Sequence, residues 1–173
     1  MNTILESDRR FGVLLWDPVQ NQPATVGCCA EVIQYQRLPD DRMNILTLGQ
    51  QRFRVLEYVR EKPYKVGLVE WIEDNPPQKD LKPLAKEVEQ LLHDVVRLSA
   101  KLTEQNIELP KDIPDLPTEL SYWVASNLYG VAAEQQNLLE MQDTAARLER
   151  EAEILTSTRN HLAARTVLKD TFN

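Results

Sequence analysis

Gly49-Gln50-Gln51-Arg52-Phe53-Arg54-Val55-Leu56-Glu57-Tyr58-Val59, followed after Glu61-Lys62-Pro63 by Tyr64-Lys65-Val66-Gly67-Leu68-Val69-Glu70-Trp71, is the stretch on which the fold turns. Two runs rich in β-branched and aromatic residues flank a short loop containing proline, the pattern of a β-hairpin. With Glu61 to Pro63 as the loop, Arg54 falls opposite Glu70 and Leu56 opposite Leu68. One face then carries Phe53, Val55, Val69 and Trp71, and the other Leu56, Tyr58, Val66 and Leu68. An ordinary antiparallel ribbon keeps one face wet. This one asks for cover on both, which makes it a structural centre.

Upstream, Met1 to Asp8 reads as the last turns of a helix, and Phe11 to Trp16 as a short strand closed by Asp17-Pro18. From Val26 to Arg37 the apolar parity changes: Val26, Cys28, Ala30 and Val32 share one phase, Ile33 and Tyr35 the other. That switch predicts a bulge or bend. Leu38-Pro39-Asp40-Asp41 supplies a turn, Asn44 to Leu48 returns as a strand, and Gly49 is expected to break it. About five closely spaced strands in the first 74 residues favour a small antiparallel barrel or sandwich.

Downstream, Glu73 to Asp80 is a Pro-rich polar connector, and beyond it the period becomes helical. Leu84, Val88, Leu91, Val95, Leu98 and Leu102 form one apolar stripe on a helix running to about Gln105. Pro110 and Pro114 make Asn106 to Leu116 a rigid irregular loop. Pro117 opens a helix over Thr118 to Tyr129, stopped by Gly130. A short helix from about Ala132 to Met141 follows, then a longer one capped by Asp143 and carrying Leu148, Ala152, Leu155 and Leu162. The class is therefore α+β: a β lobe over 1–74, a linker over 75–82 and a bundle of about four helices over 83–173.

Charge narrows the partners. Residues 1–74 carry 9 basic and 11 acidic side chains (net −2), and residues 75–173 carry 11 and 16 (net −5), so neither part suits a phosphate backbone and nucleic acid is not an expected partner. No apolar run approaches the ~20 residues of a membrane span, and the N-terminus has no signal-peptide pattern, which places the chain in the cytoplasm. Cys28 and Cys29, the only cysteines, are adjacent and read as reduced thiols in a strand.

Catalytic chemistry has no evident home. The glycines at 12, 27, 49, 67 and 130 write no phosphate-cradling loop. His93 and His161 sit on separate helices without nearby cysteine, so no metal or cofactor is expected. Ser99 and Lys101, two residues apart on a helix, point to different sides. Glu87, Glu89 and Asp94 read as the wet face of their helix.

Several pieces together carry a family likeness. Phe11-Gly12-Val13-Leu14-Leu15, Val26 to Val32, Leu38-Pro39-Asp40-Asp41-Arg42, Gly49 to Val55, Tyr64 to Asp74, Pro117 to Trp123, Glu134 to Glu140 and Arg147-Leu148 resemble the substrate-binding (N-terminal) domain of the ATP-dependent Lon proteases, and more closely the free-standing Lon-domain proteins of bacteria. The resemblance covers nearly the whole chain. It implies a PUA-like β lobe followed by a helical lobe, and a module without ATPase or Ser–Lys protease chemistry. Domains of this kind begin some tens of residues earlier, so the resemblance implies either that Met1 is an internal methionine of a longer protein or that the β lobe lacks its usual first strand. The expected function is recognition of exposed apolar or unfolded polypeptide, with Tyr35, Leu38, Leu56, Tyr58 and Trp123 as candidate contacts. The alternative expectation is an adaptor that docks a partner protein through its helical lobe.

Overall fold

The computed structural model describes residues 1–128 and 132–172. It divides into two compact units, Met1–Glu73 and Asp74–Asn173, one dominated by a sheet and the other by helices. The architecture is α+β.

In the first unit a short helix, α1 (Asn2–Leu5), precedes four strands, β1 (Arg10–Asp17), β2 (Gln22–Arg37), β3 (Met43–Arg60) and β4 (Val66–Ile72). They form one antiparallel meander in the order β1-β2-β3-β4. Among the described residues four strands appear where the sequence suggested five, because Gly49 does not interrupt β3. A side chain there would meet only Cys28 Sγ, at an ordinary 3.5 Å, and the strand continues through it to a bulge at Gln50 and Gln51. The parity change in β2 is real: the register shift at Ile33 is an extra residue in β2 that re-aims the strand, whereas the shift at Cys29 places its extra residue in β3, at Gln50 and Gln51. The turn after β2 closes with Asp41 N–H donating to Leu38 O at 3.2 Å.

Between β3 and β4 the expected register holds at its inner end. Phe53 faces Trp71, Arg54 faces Glu70 with an ion pair at 3.6 Å, and Val55 faces Val69. Toward the tip it slips. The connection is residues 61–65 rather than 61–63, and bulges at Leu56 and Val59 bring Glu57, not Leu56, opposite Leu68. The slip reverses a face, since one extra residue inverts every side chain beyond it. Tyr58 now opposes Gly67, and a Cβ built on Gly67 would lie 3.5 Å from Val55 Cγ1 and 3.6 Å from Tyr58 Cδ1, so Tyr58 shares the face of Val55.

Val26, Cys29, Ala30, Val32, Phe53 and Ile72 are the buried apolar residues of this unit. Phe53 lies across two glycines. A Cβ on Gly12 would come within 2.7 Å of the ring, and one on Gly27 within 3.0 Å of it and 2.3 Å of the Val13 carbonyl oxygen. Only glycine lets the strands and ring close this far. Trp71, expected to line the same core, is 53% exposed. It meets Phe53 edge-to-face at 6.4 Å, but β4 is the sheet's last strand, and among the described residues no further strand covers the indole.

The second unit contains α2 (Lys82–Thr103), α3 (Pro117–Ser126), α4 (Ala132–Glu140) and α5 (Thr144–Phe172). Pro117 occupies the first turn of α3, and Asp143 caps α5 by accepting from Ala145 N–H at 2.8 Å. α3 ends at Ser126, earlier than expected; Tyr129 and Gly130, the expected end, lie outside the described residues. The core joins Val88, Leu91 and Leu92 of α2, Leu120 and Val124 of α3, and Leu148 and Leu155 of α5. The predicted stripe is present, its central residues Val88 and Leu91 buried and its outer members half-buried. Glu87 and Glu89 are exposed as expected, while Asp94 is half-buried and pairs with Arg97 at 2.8 Å.

Candidate functional site

Three apolar areas on the sheet unit are open to solvent. At the β3–β4 tip, Leu56, Val59, Tyr64 and Leu68 are each half or more exposed. The tip rings carry cations: the Lys65 ammonium lies 4.5 Å from the Tyr58 centroid and the Arg60 guanidinium 4.9 Å from that of Tyr64. Along β1, Val13, Leu15 and Trp16 are exposed. At the far end of the β2–β3 pair, Ile33, Tyr35, Leu46 and Leu48 are exposed in turn.

The predicted contacts are distributed over these areas rather than gathered in one. Tyr35, 43% exposed, opposes Ile45, and Leu38 is half-buried in the turn that follows. Leu56 is 57% exposed at the other end of β3, and Tyr58 is half-buried beneath Lys65. Between Ile45 and Leu56 the strand travels roughly 35 Å at about 3.3 Å per residue, so Tyr35 with Leu38 and Leu56 with Tyr58 are two separate places. Trp123 belongs to the helical unit, where it packs partly buried against the core of α2, α3 and α5.

The helical unit holds a polar cluster that sequence reasoning missed. Arg147, with no exposed surface, donates to Asp74 through Nη2 to Oδ2 at 2.5 Å and Nη1 to Oδ1 at 3.3 Å, to Met141 O at 2.8 Å and to Ser121 Oγ at 2.8 Å. Tyr122 Oη donates to Asp74 Oδ1 at 2.9 Å, and the Tyr122 ring lies under the guanidinium at 4.0 Å. Ser121 in turn donates to Thr118 O at 2.8 Å. Its hydroxyl is thus committed to structure, and the cluster is a fully partnered anchor for Asp74 rather than a reactive centre.

Glu151, one turn beyond Arg147, is the exception. It has no exposed surface, and neither carboxylate oxygen has a hydrogen-bond partner. Burial raises its pKa to about 8 against a smaller opposing pull from Arg147, so the acid is neutral at pH 7. In the sequence, Arg147 and Glu151 have the spacing of a surface helix pair. No local signal marks them as buried.

The cysteines are free. Cys29 is buried, Cys28 half-buried, and burial pushes both above the ordinary thiol value, which keeps them protonated and poor nucleophiles. Among the described residues no group of three or more His, Cys, Asp or Glu is gathered as metal ligands, and no helix is long and apolar enough to cross a membrane.

Comparison with known proteins follows the whole chain rather than one patch. The family described as the ATP-dependent protease La (LON) substrate-binding domain matches residues 1–157. A Lon protease of Cytophaga hutchinsonii is 27% identical over 154 residues, which is 82% of this chain and 18% of the relative. One of Anaeromyxobacter dehalogenans is 30% identical over 148 residues, 84% of this chain and 17% of the relative. The chain thus spans less than a fifth of the length of these curated relatives. Among solved structures, a Lon N-terminal domain protein from Xanthomonas campestris aligns with a TM-score of 0.59 at 23% identity, covering 86% of this chain and 78% of that one. The N-terminal domain of a Mycobacterium avium complex Lon protease aligns with a TM-score of 0.55 at 16% identity, covering 87% and 89%. Those two likenesses show the shared fold.

Proposed function

The chain belongs to the Lon substrate-binding domain family, and from that premise we propose that it is a non-catalytic module that binds exposed apolar or unfolded segments of other polypeptides. The observation that carries this reading is the amount of apolar side chain the sheet unit leaves in water: Leu46, Leu48, Leu56, Leu68 and Trp71 are each more than half exposed. Scattered single apolar residues on a surface need no explanation, but repeated ones along consecutive strands mark interaction surfaces. Such recognition needs apolar area, aromatic anchors and spare backbone hydrogen bonds, and no titrating residue. Free, protonated thiols agree with a reducing, cytoplasmic setting, and the net charge of −7 favours polypeptide over nucleic acid.

The test is a binding titration of the full chain against a fluorescently labelled, permanently unfolded polypeptide and its folded counterpart. Saturable binding of the unfolded form alone is expected. No binding of either form defeats the reading.

A second reading, docking of one specific partner through the helical unit, draws on Val167 and Leu168, which are 65% and 57% exposed near the end of α5. Affinity capture that returns a single stoichiometric partner, abolished by Val167→Glu with Leu168→Glu, would favour it over the first.

A further inference from the structure

β2 and β3 outrun their neighbours. β1 pairs with β2 no further than Glu31, apart from one bond from Val32 N–H to Arg9 O, and β4 pairs with β3 only from Arg52 onward. Residues 33–37 and 43–49 therefore form a two-stranded arm with, among the described residues, no strand on either side. Its composition is unusual for a free edge. From Met43 to Gln51 on β3, and from Val32 to Gln36 on β2, there is no charged residue and no proline. Sheets ordinarily protect such edges with lysine, proline or a covering element. Here Leu46 and Leu48, 59% and 55% exposed, lie two residues apart on one face of β3.

The two edges of the arm are not equivalent. The β2 edge is short and is interrupted by the bulge at Ile33. The β3 edge runs uninterrupted from Met43 to Leu48, and there Leu46, Thr47 and Leu48 are exposed and pair only toward β2.

We propose that this free edge of β3, over Met43–Gly49, is where a bound polypeptide is held, as an added antiparallel or parallel strand, and that it selects uncharged apolar segments. The inference rests on the polypeptide-binding reading above and deepens it. Backbone N–H and C=O groups on the open side supply affinity for any extended chain, while Leu46 and Leu48 supply contacts for alternate side chains. The choice of occupant follows from charge. A charged side chain laid along this edge finds no counter-charge on β3 between Arg42 and Arg52 and loses hydration for nothing. The acid on the neighbouring strand, Glu31, is already paired with Arg10 at 3.1 Å. Tyr35 sits on the same arm, opposite Ile45.

The test uses the full chain and two labelled peptides of about nine residues of alternating Val and Thr, one of them N-methylated at alternate residues so that one edge cannot donate. The unmodified peptide is expected to bind, N-methylation to weaken it at least about tenfold, and Leu46→Lys with Leu48→Lys to weaken it about as much. Val19→Lys, in the exposed β1–β2 connection, is the control and leaves binding unchanged. Circular dichroism melts confirm that each variant is folded. If the chain binds unfolded polypeptide but neither N-methylation nor the leucine changes matter, the edge assignment is overturned and the broader reading stands. If nothing binds, both fall. A dimer in sedimentation that peptide does not dissociate, and that the leucine changes abolish, gives the edge to a second copy and also overturns the proposal.

Discussion

In the sheet unit Leu46, Leu48, Leu68 and Trp71 stand more than half exposed, whereas in the helical unit Arg147 and Glu151, the residues one would expect in water, have no exposed surface at all. The contrast separates two uses of the same forces. A helix bundle closes on itself, so a charge caught inside must be partnered, as Arg147 is by Asp74, or neutralised, as Glu151 is. Among the described residues the meander ends in the edge strands β1 and β4, and much of its apolar surface remains outside. Stability is therefore expected to be sensitive to polar changes in one unit, and the proposed binding to apolar changes in the other.

The largest effect expected from this contrast is on ion pairs of the same kind in different settings. Arg147→Met leaves Asp74, only 13% exposed at its side chain, without its cation, and should cost about 3–5 kcal/mol in urea unfolding followed by helical circular dichroism. Arg10→Met removes the pair with Glu31, whose side chains are 53% and 31% exposed, and should cost less than about 1 kcal/mol. Equal costs would break the comparison. The double change Arg147→Met with Asp74→Leu should recover much of the loss, because it removes both charges together.

Next comes Glu151. Its folded pKa of about 8 lies above the ordinary 4.5, so the folded state holds the proton more tightly than the unfolded chain. Stability from this group is complete below about pH 4.5 and is lost as pH rises through 8. Glu151→Gln keeps the shape without the charge, and should stabilise the protein at about pH 8.5 by on the order of 2–3 kcal/mol while changing little at about pH 4.5. Unfolding measured at both pH values checks it; a gain independent of pH would mean that the Glu151 carboxyl binds its proton equally well in the folded and unfolded chains.

Much of this was legible in the residues. The hairpin, its Arg54–Glu70 pairing, the parity switch in β2, the Pro117 start and the Asp143 cap all depend on local signals, and the structure reproduces them. What escaped was set by distance or by one-residue slips. Arg147 and Asp74 are 73 positions apart, and nothing near either residue announces the other. The bulge at Leu56 moves Tyr58 to the face of Val55, a change that alternation alone cannot show. The candidate contacts suffered similarly: Tyr35 and Leu56 have the composition of a binding surface, but only the pairing of β2 with β3 reveals that they lie at opposite ends of it.

The smallest expected effect is the one that separates two glycines of the sheet. Alanine at Gly27 would place Cβ 2.3 Å from the Val13 carbonyl oxygen, which belongs to the backbone of the paired strand and cannot rotate away. Gly27→Ala should therefore cost about 2 kcal/mol or more, through separation of β1 from β2. At Gly49 the same added carbon meets only Cys28 Sγ at 3.5 Å, and the strand is continuous there. Gly49→Ala should change stability by less than about 0.5 kcal/mol, since alanine fits the extended backbone and restricts the unfolded chain slightly. A thermal melt of the two variants side by side is the measurement. A large loss at Gly49 would restore the strand break that the sequence suggests and would sever the β3 edge on which the binding proposal depends.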